Sequence, residues 1–342
     1  MNSRSRILAI TVIAAAVIAV YVVSTRKEAP KTPEPLTSAS SPATSSAHVP
    51  PRSSASSSAV IDASMGPDGV IRAGWGSALG QVGHSLQSEG NPEGPMSFVR
   101  SGDELLVLDQ VNSRVVRYDK NGRPVGTIDA THTTQDINVA KDGSVVMLDR
   151  LVDKRVRVFD RTGKPRGELA LPADMKETGL VTGVFTDDKN VFVEKSHGAL
   201  IGIGTLDGQP LADKTVLTGR PSKSGNLLVS AALVANKLTV NAFDRAANKL
   251  RYTRVIPFKT VREVVLVDTD GKDVVYVGAS EEEKVNIACL DPGDGHVLGR
   301  LTLEMSMVPE ETFKQYSVAE DGTITSSFMT EAGAEYHTEK CP

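Results

Sequence analysis

A tight turn that recurs about every 43 residues is the feature that most constrains the fold of this chain. The turn is marked by a glycine between two short apolar runs, at Gly122, Gly163, Gly208 and Gly295, with intervals of 41, 45 and 87 residues. Glycine suits this place because a tight hairpin requires positive φ in its central residues. The 87-residue interval is two periods, so we expect one unit without the glycine at residues 227–258.

Six units of this length follow from the spacing. Turns near residues 122, 163, 208, 251 and 295 define five, and residues 314–341 supply strands for a sixth that is one strand short. A four-stranded sheet is the usual unit of this length, and such sheets close into a ring. Residues 69–75 (GVIRAGW) precede the first unit without a partner, so we expect them to form the outer strand of the last sheet and remove an exposed edge. The prediction is an all-β, six-bladed β-propeller over residues 64–342.

Polar residues recur at matching places in the two clearest units. The first unit has Asp109, Asn112, Arg114, Tyr118, Asp119, Gly122 and Gly126, and the second has Asp149, Asp153, Arg155, Phe159, Asp160, Gly163 and Gly167. This pattern resembles the NHL repeat of six-bladed propellers, although the remaining units keep at most the turn. The resemblance implies the fold, and it implies that the repeated Asp and Arg side chains tie strands together within a blade rather than bind a ligand.

Residues 7–23 (ILAITVIAAAVIAVYVV) form an uncharged apolar run at the lower end of the length that spans a membrane as a helix. A cleaved signal peptide is the alternative, but small residues are missing from the cleavage positions that would follow Val23. We therefore expect an uncleaved transmembrane anchor after a short tail, residues 1–6. Basic residues flank both ends of the run, so the positive-inside rule gives no orientation.

Residues 24–63 are rich in Pro, Ser, Ala and Thr and carry too little apolar surface to offset the entropy of ordering. We expect a disordered linker that holds the propeller away from the membrane. The expected location is that of a single-pass protein, in a bacterial inner membrane, with the propeller in the periplasm or outside the cell.

Charge argues against a nucleic-acid partner. The formal net charge is −4, while the first 59 residues contain six basic and two acidic residues, so the predicted propeller is the acidic part. An acidic domain repels phosphate backbones, and no run of basic residues compensates.

Some propellers with NHL-like repeats are metal-dependent lyases, which directs attention to the histidines. His84 and His132 fall in loops that join one blade to the next, and His197 falls in a loop between second and third strands. These loops share one face of a propeller, and three imidazoles can bind zinc with an open fourth position. The three are far apart in sequence and lack an accompanying carboxylate pattern, so they are candidates only, and no metal or cofactor is assigned.

Two further patterns have structural interpretations. Residues 268–273 (DTDGKD) are typical of a hairpin turn, because the later glutamate of a calcium-binding loop is missing. Cys289 and Cys341 fall in neighbouring blades, and both a disulfide and two free thiols are compatible with that placement.

No nucleophile elbow, phosphate-binding loop or paired zinc motif occurs in the chain. The leading hypothesis is a monomeric, non-enzymatic scaffold that binds a protein or peptide on its loop face or in its channel. The alternative is a lyase or hydrolase of the propeller type with a metal on the loop face. Convergence of His84, His132 and His197 would distinguish the two.

Overall fold

A computed structural model describes residues 63–86, 90–213, 215–234, 237–306 and 312–342. The predicted tail and anchor, and the linker as far as residue 62, lie outside these residues. None of the helices in the described part is long and apolar enough to cross a membrane.

The described residues form 25 β-strands and one short 3-10 helix, Thr178–Leu180. Before the first blade come β1 (Ser64–Met65) and β2 (Ile71–Gly74). Blade one is β3 (Ser97–Ser101), β4 (Glu104–Asp109), β5 (Arg114–Tyr118) and β6 (Pro124–Asp129), and blade two is β7 (Asp136–Val139), β8 (Val145–Asp149), β9 (Arg155–Phe159) and β10 (Pro165–Ala170). Blade three is β11 (Val181–Thr186), β12 (Asn190–Lys195), β13 (Leu200–Thr205) and β14 (Val216–Leu217). Blade four is β15 (Arg220–Pro221), β16 (Leu227–Val234), β17 (Lys237–Asp244) and β18 (Lys249–Ile256). Blade five is β19 (Glu263–Thr269), β20 (Val275–Glu281), β21 (Lys284–Leu290) and β22 (Val297–Glu304), and blade six contains β23 (Tyr316–Val318), β24 (Thr323–Met329) and β25 (Gly333–Lys340).

The six antiparallel sheets are arranged as a ring. Each blade contacts the next, and blade six contacts blade one through β23 and β3. The first strand of every blade lies innermost. The predicted six-bladed β-propeller is confirmed.

The ring closes with a strand from the beginning of the domain. β2 pairs antiparallel with β25, with Ile71 opposite Tyr336 and Gly74 opposite Gly333, so the predicted closing strand is confirmed. The sequence did not predict β1, which adds a fifth strand outside β2. The backbone amide of Met65 in β1 also donates to the carbonyl of Asn121 in blade one at 2.9 Å, which links the two blades at the closure.

Blade four contains the turn that lacks a glycine. It lies at residues 245–248, between β17 and β18, a few residues before the expected position near 251. Asn248 has a φ of 47°, the left-handed conformation that glycine adopts in the other units. Asparagine tolerates this conformation better than most residues, so the turn is kept although its sequence marker is lost.

Apolar side chains fill the spaces between blades. The central strands β4 and β8 are buried along almost their whole length, because a blade lies against each of their faces. Five clusters of buried apolar residues each join two neighbouring blades. None of these clusters joins blade three to blade four, and two ion pairs described below occupy that seam.

A disulfide joins blades five and six. Cys289 in β21 is bonded to Cys341, next to the C-terminus, across 52 positions of sequence. Of the two alternatives that the sequence left open, the structure contains the disulfide. It fastens the last strand of the ring to the blade before it.

The closing strand generates a stability prediction. Ile71 is fully buried between blades six and one, so Ile71→Ala is expected to lower the free energy of unfolding by about 2–5 kcal/mol. Urea unfolding followed by circular dichroism measures this change. The control is Val125→Ala on the outer strand β6, where the side chain is 53% exposed and the expected change is within about 0.5 kcal/mol. Equal effects of the two substitutions would contradict the closure.

Candidate functional site

The innermost strands of all six blades surround a central channel with a volume of about 840 Å³. An innermost strand is the edge of its sheet, so backbone groups on its channel side need partners from elsewhere. Charged side chains in the channel supply several of these partners. Three carboxylates, one each in blades two, three and five, are the centres of this arrangement.

Asp136 in blade two connects four blades. Its buried carboxylate accepts hydrogen bonds from Ser97 Oγ of blade one at 2.7 Å and from the amide of Val184 in blade three at 3.0 Å. Lys314, just before β23 of blade six, places its ammonium 3.0 Å from Asp136 and donates to the carbonyl of Ile137 at 2.7 Å. Asp136 therefore satisfies an inner-strand amide and holds one side of the ring together.

Glu194 on β12 is paired with an arginine of the next blade. Arg220 binds it with two nitrogens, at 2.8 and 2.9 Å, and donates its third to the carbonyl of Val267 in blade five at 2.9 Å. Burial alone would raise the pKa of Glu194, but the Arg220 charge, with hydrogen bonds from His197, Arg220 and Thr182, holds it at about 2. The guanidinium of Arg220 also lies 4.6 Å from the ring centre of Phe185. This contact crosses the seam between blades three and four, and a second ion pair, Arg245 with Asp187, crosses it as well.

Asp268 performs the same role between blades four, five and six. It accepts a hydrogen bond from Lys223 of blade four at 2.6 Å and another from the amide of Val318 on β23 at 3.0 Å. Within the described residues, Arg100 of blade one is the channel cation that keeps a buried nitrogen, Nη1, without a hydrogen-bond partner. Asp136, Glu194 and Asp268 are thus each paired with a cation from another blade.

The repeated Asp and Arg residues make structural contacts, partly between strands of one blade and partly to the loop that precedes it. Asp109 is fully buried and accepts hydrogen bonds from the amide of Gly83 and from Arg114 Nε, both at 2.8 Å. Arg114 in turn donates to three backbone carbonyls of the loop between β2 and β3, those of Ser77, Ala78 and Gln81. In blade two, Arg155 pairs instead with Glu168 on the neighbouring strand.

The hairpin assignment for residues 268–273 agrees with the structure. The carboxylate of Asp270 accepts the amides of Lys272 at 2.8 Å and Val274 at 3.0 Å, which is the bonding of a turn. Asp273 links this turn to blade four, since its carboxylate accepts a hydrogen bond from the hydroxyl of Ser224 at 2.6 Å.

The three candidate histidines have separate environments. The His84 ring stacks on Trp75 with the ring centres 4.5 Å apart, and Nδ1 of His197 lies 3.5 Å from Glu194. The carbonyl of His132 accepts a hydrogen bond from Gln110. Although their loops share a face, these histidines do not form a group of three potential metal ligands. The group that the described residues do contain is Asp291, Asp294 and His296, in the turn between β21 and β22.

The sequence prediction did not include Asp291, Asp294 and His296, because they lie within a single six-residue turn and not at positions that recur in the other units. The signal available was an Asp-x-x-Asp-x-His spacing between two strands. The turn was instead interpreted through its glycine, Gly295, which marks the repeat.

The two faces of the ring differ in their exposed apolar side chains. The loop face consists of the loops that join successive blades and those between second and third strands, and the turn face consists of the remaining turns. Seven exposed large apolar residues lie on the loop face: Leu79, Leu86, Leu151, Val152, Leu180, Leu233 and Val234. At strand ends next to the turn face, the described residues contain four: Val125, Leu250, Val297 and Leu298. The loop face therefore has the larger share, and a concentration of exposed apolar side chains is typical of an interaction surface.

No protein-family model matches the chain, and no curated protein shows significant sequence similarity to it. Similar solved structures include Kuenenia stuttgartiensis hydrazine synthase, at 15% identity over 68% of this chain and 72% of the other, with a TM-score of 0.44. The C-terminal WD40 domain of Sif2 is 12% identical over 79% of this chain and 90% of that domain, with a TM-score of 0.44. BamB from Moraxella catarrhalis is 10% identical over 79% and 91%, with a TM-score of 0.43. Similarity at this level gives no information about activity.

The pairing of Glu194 generates a prediction for the dependence of stability on pH. Its pKa in the folded protein, about 2, is below the ordinary 4.5, so its contribution is complete above pH 4.5 and is lost as the pH falls toward 2. Glu194→Gln is expected to lower the free energy of unfolding by about 3 kcal/mol at pH 7, and this difference from the unmodified protein should shrink below pH 4.5.

Urea unfolding at several pH values measures that difference. The control is Glu168→Gln, which removes an ion pair whose carboxylate is 48% exposed and should cost at most about 1 kcal/mol. A Glu194→Gln difference that stays constant between pH 7 and pH 3 would rule out this account of the seam.

Proposed function

We propose that this protein is a membrane-anchored, extracytoplasmic propeller of the NHL type that acts as a non-enzymatic scaffold and binds a protein or peptide on its loop face. The observation that carries the proposal is the concentration of exposed apolar side chains on that face. The hydrogen bonds of Asp109 and Arg114 support the NHL assignment, because they perform the tying role that the resemblance implies.

The arrangement of the apolar side chains favours a macromolecular ligand. Leu151 and Val152 project from blade two and Leu233 and Val234 from blade four, while Leu86 lies in the loop that enters blade one. Side chains distributed over several blades suit a broad contact, whereas a small molecule is usually enclosed in one concave pocket.

The electrostatics of the channel favour binding over catalysis. A general acid or base works best when its pKa lies near the working pH, and Glu194 is held far below that range. Asp136 and Asp268 are engaged by lysines and by backbone amides of neighbouring blades. These carboxylates are therefore suited to holding the ring rather than to transferring protons.

Two features support the proposed location. The bond between Cys289 and Cys341 is of a kind that persists in oxidising compartments such as the periplasm. The apolar run of residues 7–23 is long enough to anchor the chain, and the linker after it is long enough to separate the propeller from the membrane.

Site-specific cross-linking tests the loop face. A photoactivatable phenylalanine analogue at Val152 or Leu233 is expected to give a protein adduct in cells, and the same analogue at Val125 or Leu250, which are equally exposed on outer strands, is not. The double substitution Val152→Glu and Leu233→Glu should reduce an adduct formed from Leu86 several-fold, because charges in an apolar contact are costly to desolvate. Adducts of equal yield at all four positions would argue against a specific surface.

Thiol labelling combined with fractionation tests the location. In unreduced, unfolded protein from the membrane fraction, neither Cys289 nor Cys341 is expected to react with a maleimide, and protease added to spheroplasts should reach the propeller. Cys289→Ser with Cys341→Ser should lower the free energy of unfolding by about 4 kcal/mol, given the length of the closed loop. Two reactive thiols, or a propeller protected from protease until the membrane is dissolved, would contradict the proposed location.

A further inference from the structure

The turn between β21 and β22, on the turn face of blade five, brings together three side chains with metal-binding chemistry. One ligand atom each from Asp291, Asp294 and His296 lies within 4.8 Å of the other two. Nδ1 of His296 is 2.7 Å from Asp294 Oδ1. Asp291 shapes the turn, since its Oδ1 accepts the amide of Gly293 at 2.7 Å and the amide of Asp294 at 3.3 Å.

The neighbouring blade holds this turn in position. Arg254 on β18 donates from Nε to the carbonyl of Asp294 at 2.7 Å, and Arg251 donates to the carbonyl of Pro292 at 3.3 Å. Both hydrogen bonds go to backbone carbonyls and not to the side chains of the three candidate ligands. Arg254 also places a second nitrogen 3.9 Å from Asp294 Oδ2, a positive charge that lowers the affinity of the turn for a cation.

Tyr252, also on β18, is an independent indication of a ligand. Its side chain lies beneath the turn, where a Cβ atom at Gly295 would be 2.5 Å from the tyrosine ring. The residue is 7% exposed, and within the described residues its buried hydroxyl has no hydrogen-bond partner. The ring atom nearest to that position is Cε2, which is adjacent to the carbon that bears the hydroxyl, so this edge of the ring faces the turn.

An unpartnered buried hydroxyl costs free energy, and native structures rarely tolerate one without a reason. A bound cation would orient the carboxylates of the turn. The hydroxyl of Tyr252 could then donate a hydrogen bond to an oxygen that binds the cation, so it would no longer be unpartnered. In many metal sites, side chains that donate hydrogen bonds to the metal-bound groups fix the orientation of those groups.

We propose that Asp291, Asp294 and His296 bind a divalent cation of the zinc class, with Tyr252 as a positioning residue that donates a hydrogen bond to Asp291. One imidazole nitrogen and two carboxylate oxygens suit zinc and leave a fourth position for water, whereas calcium prefers six to eight oxygens. The ion pins the turn of blade five against the outer strand of blade four. It lies on the face opposite the proposed binding surface, so its role is structural.

Calorimetric titration of the metal-free, full-length protein in detergent with zinc chloride alone tests the proposal. One zinc per chain is expected. His296→Ala and Asp291→Asn should each weaken binding at least about tenfold, and Tyr252→Phe should weaken it about tenfold through the lost hydrogen bond. The matched control is Asp160→Asn, in the corresponding turn of blade two, where the carboxylate accepts two amides of its own turn but no histidine is present. It should bind zinc as the unmodified protein does.

Cobalt substitution and thermal unfolding complete the experiment. Cobalt should give the absorption bands of tetrahedral coordination in the unmodified protein but not in His296→Ala. Asp294 and His296 are more than half exposed, so Asp294→Asn and His296→Ala should unfold at the unmodified temperature in the absence of metal. Folded His296→Ala protein that binds zinc unchanged, or unmodified protein that binds none, would overturn the site, and unchanged affinity in Tyr252→Phe would overturn the role of Tyr252.

Discussion

The pairing of β2 with β25 is the constraint on which the rest of the structure depends. Each blade buries both of its faces against neighbours, so six blades can be buried only if the last meets the first. The chain meets this requirement with a strand from the start of the domain, placed outside the last one. Closure makes the ring a single unit. The inter-blade loops lie on one face because each blade has an even number of antiparallel strands, and seven of the exposed large apolar side chains lie on that face.

Each inner strand has one side without a neighbouring strand. Charged side chains in the channel accept hydrogen bonds from, or donate them to, several of the backbone groups on that side. Asp136 and Asp268 each accept the backbone amide of the next blade's inner strand, Val184 and Val318, while a lysine from another blade neutralises each carboxylate. The same side chains satisfy edge groups and join blades. This dual use explains why a channel of this size is lined by so many ionised groups.

The sequence predicted the ring well and the polar contacts poorly. The spacing of the turn glycines predicted the fold, because positive φ in a tight turn restricts which residues can occupy it. The glycine is missing in blade four, where Asn248 adopts the same conformation. The closing strand was predictable because an unpartnered apolar strand matched a blade that was one strand short. Pairs such as Lys314 with Asp136 follow no local pattern, since they depend on which residues the closed ring brings together. The position of Tyr252 beneath the turn of His296 is likewise a contact between two blades, so neither segment predicts it from its own sequence.

The seam between blades three and four divides the ring into two halves. Apolar clusters join blade to blade elsewhere, whereas this seam contains Arg220 with Glu194 and Arg245 with Asp187. In a six-membered ring this seam lies diametrically across from the one where blade six meets blade one. The propeller is therefore two arcs of three blades, joined by the closing strand on one side and by buried ion pairs on the other.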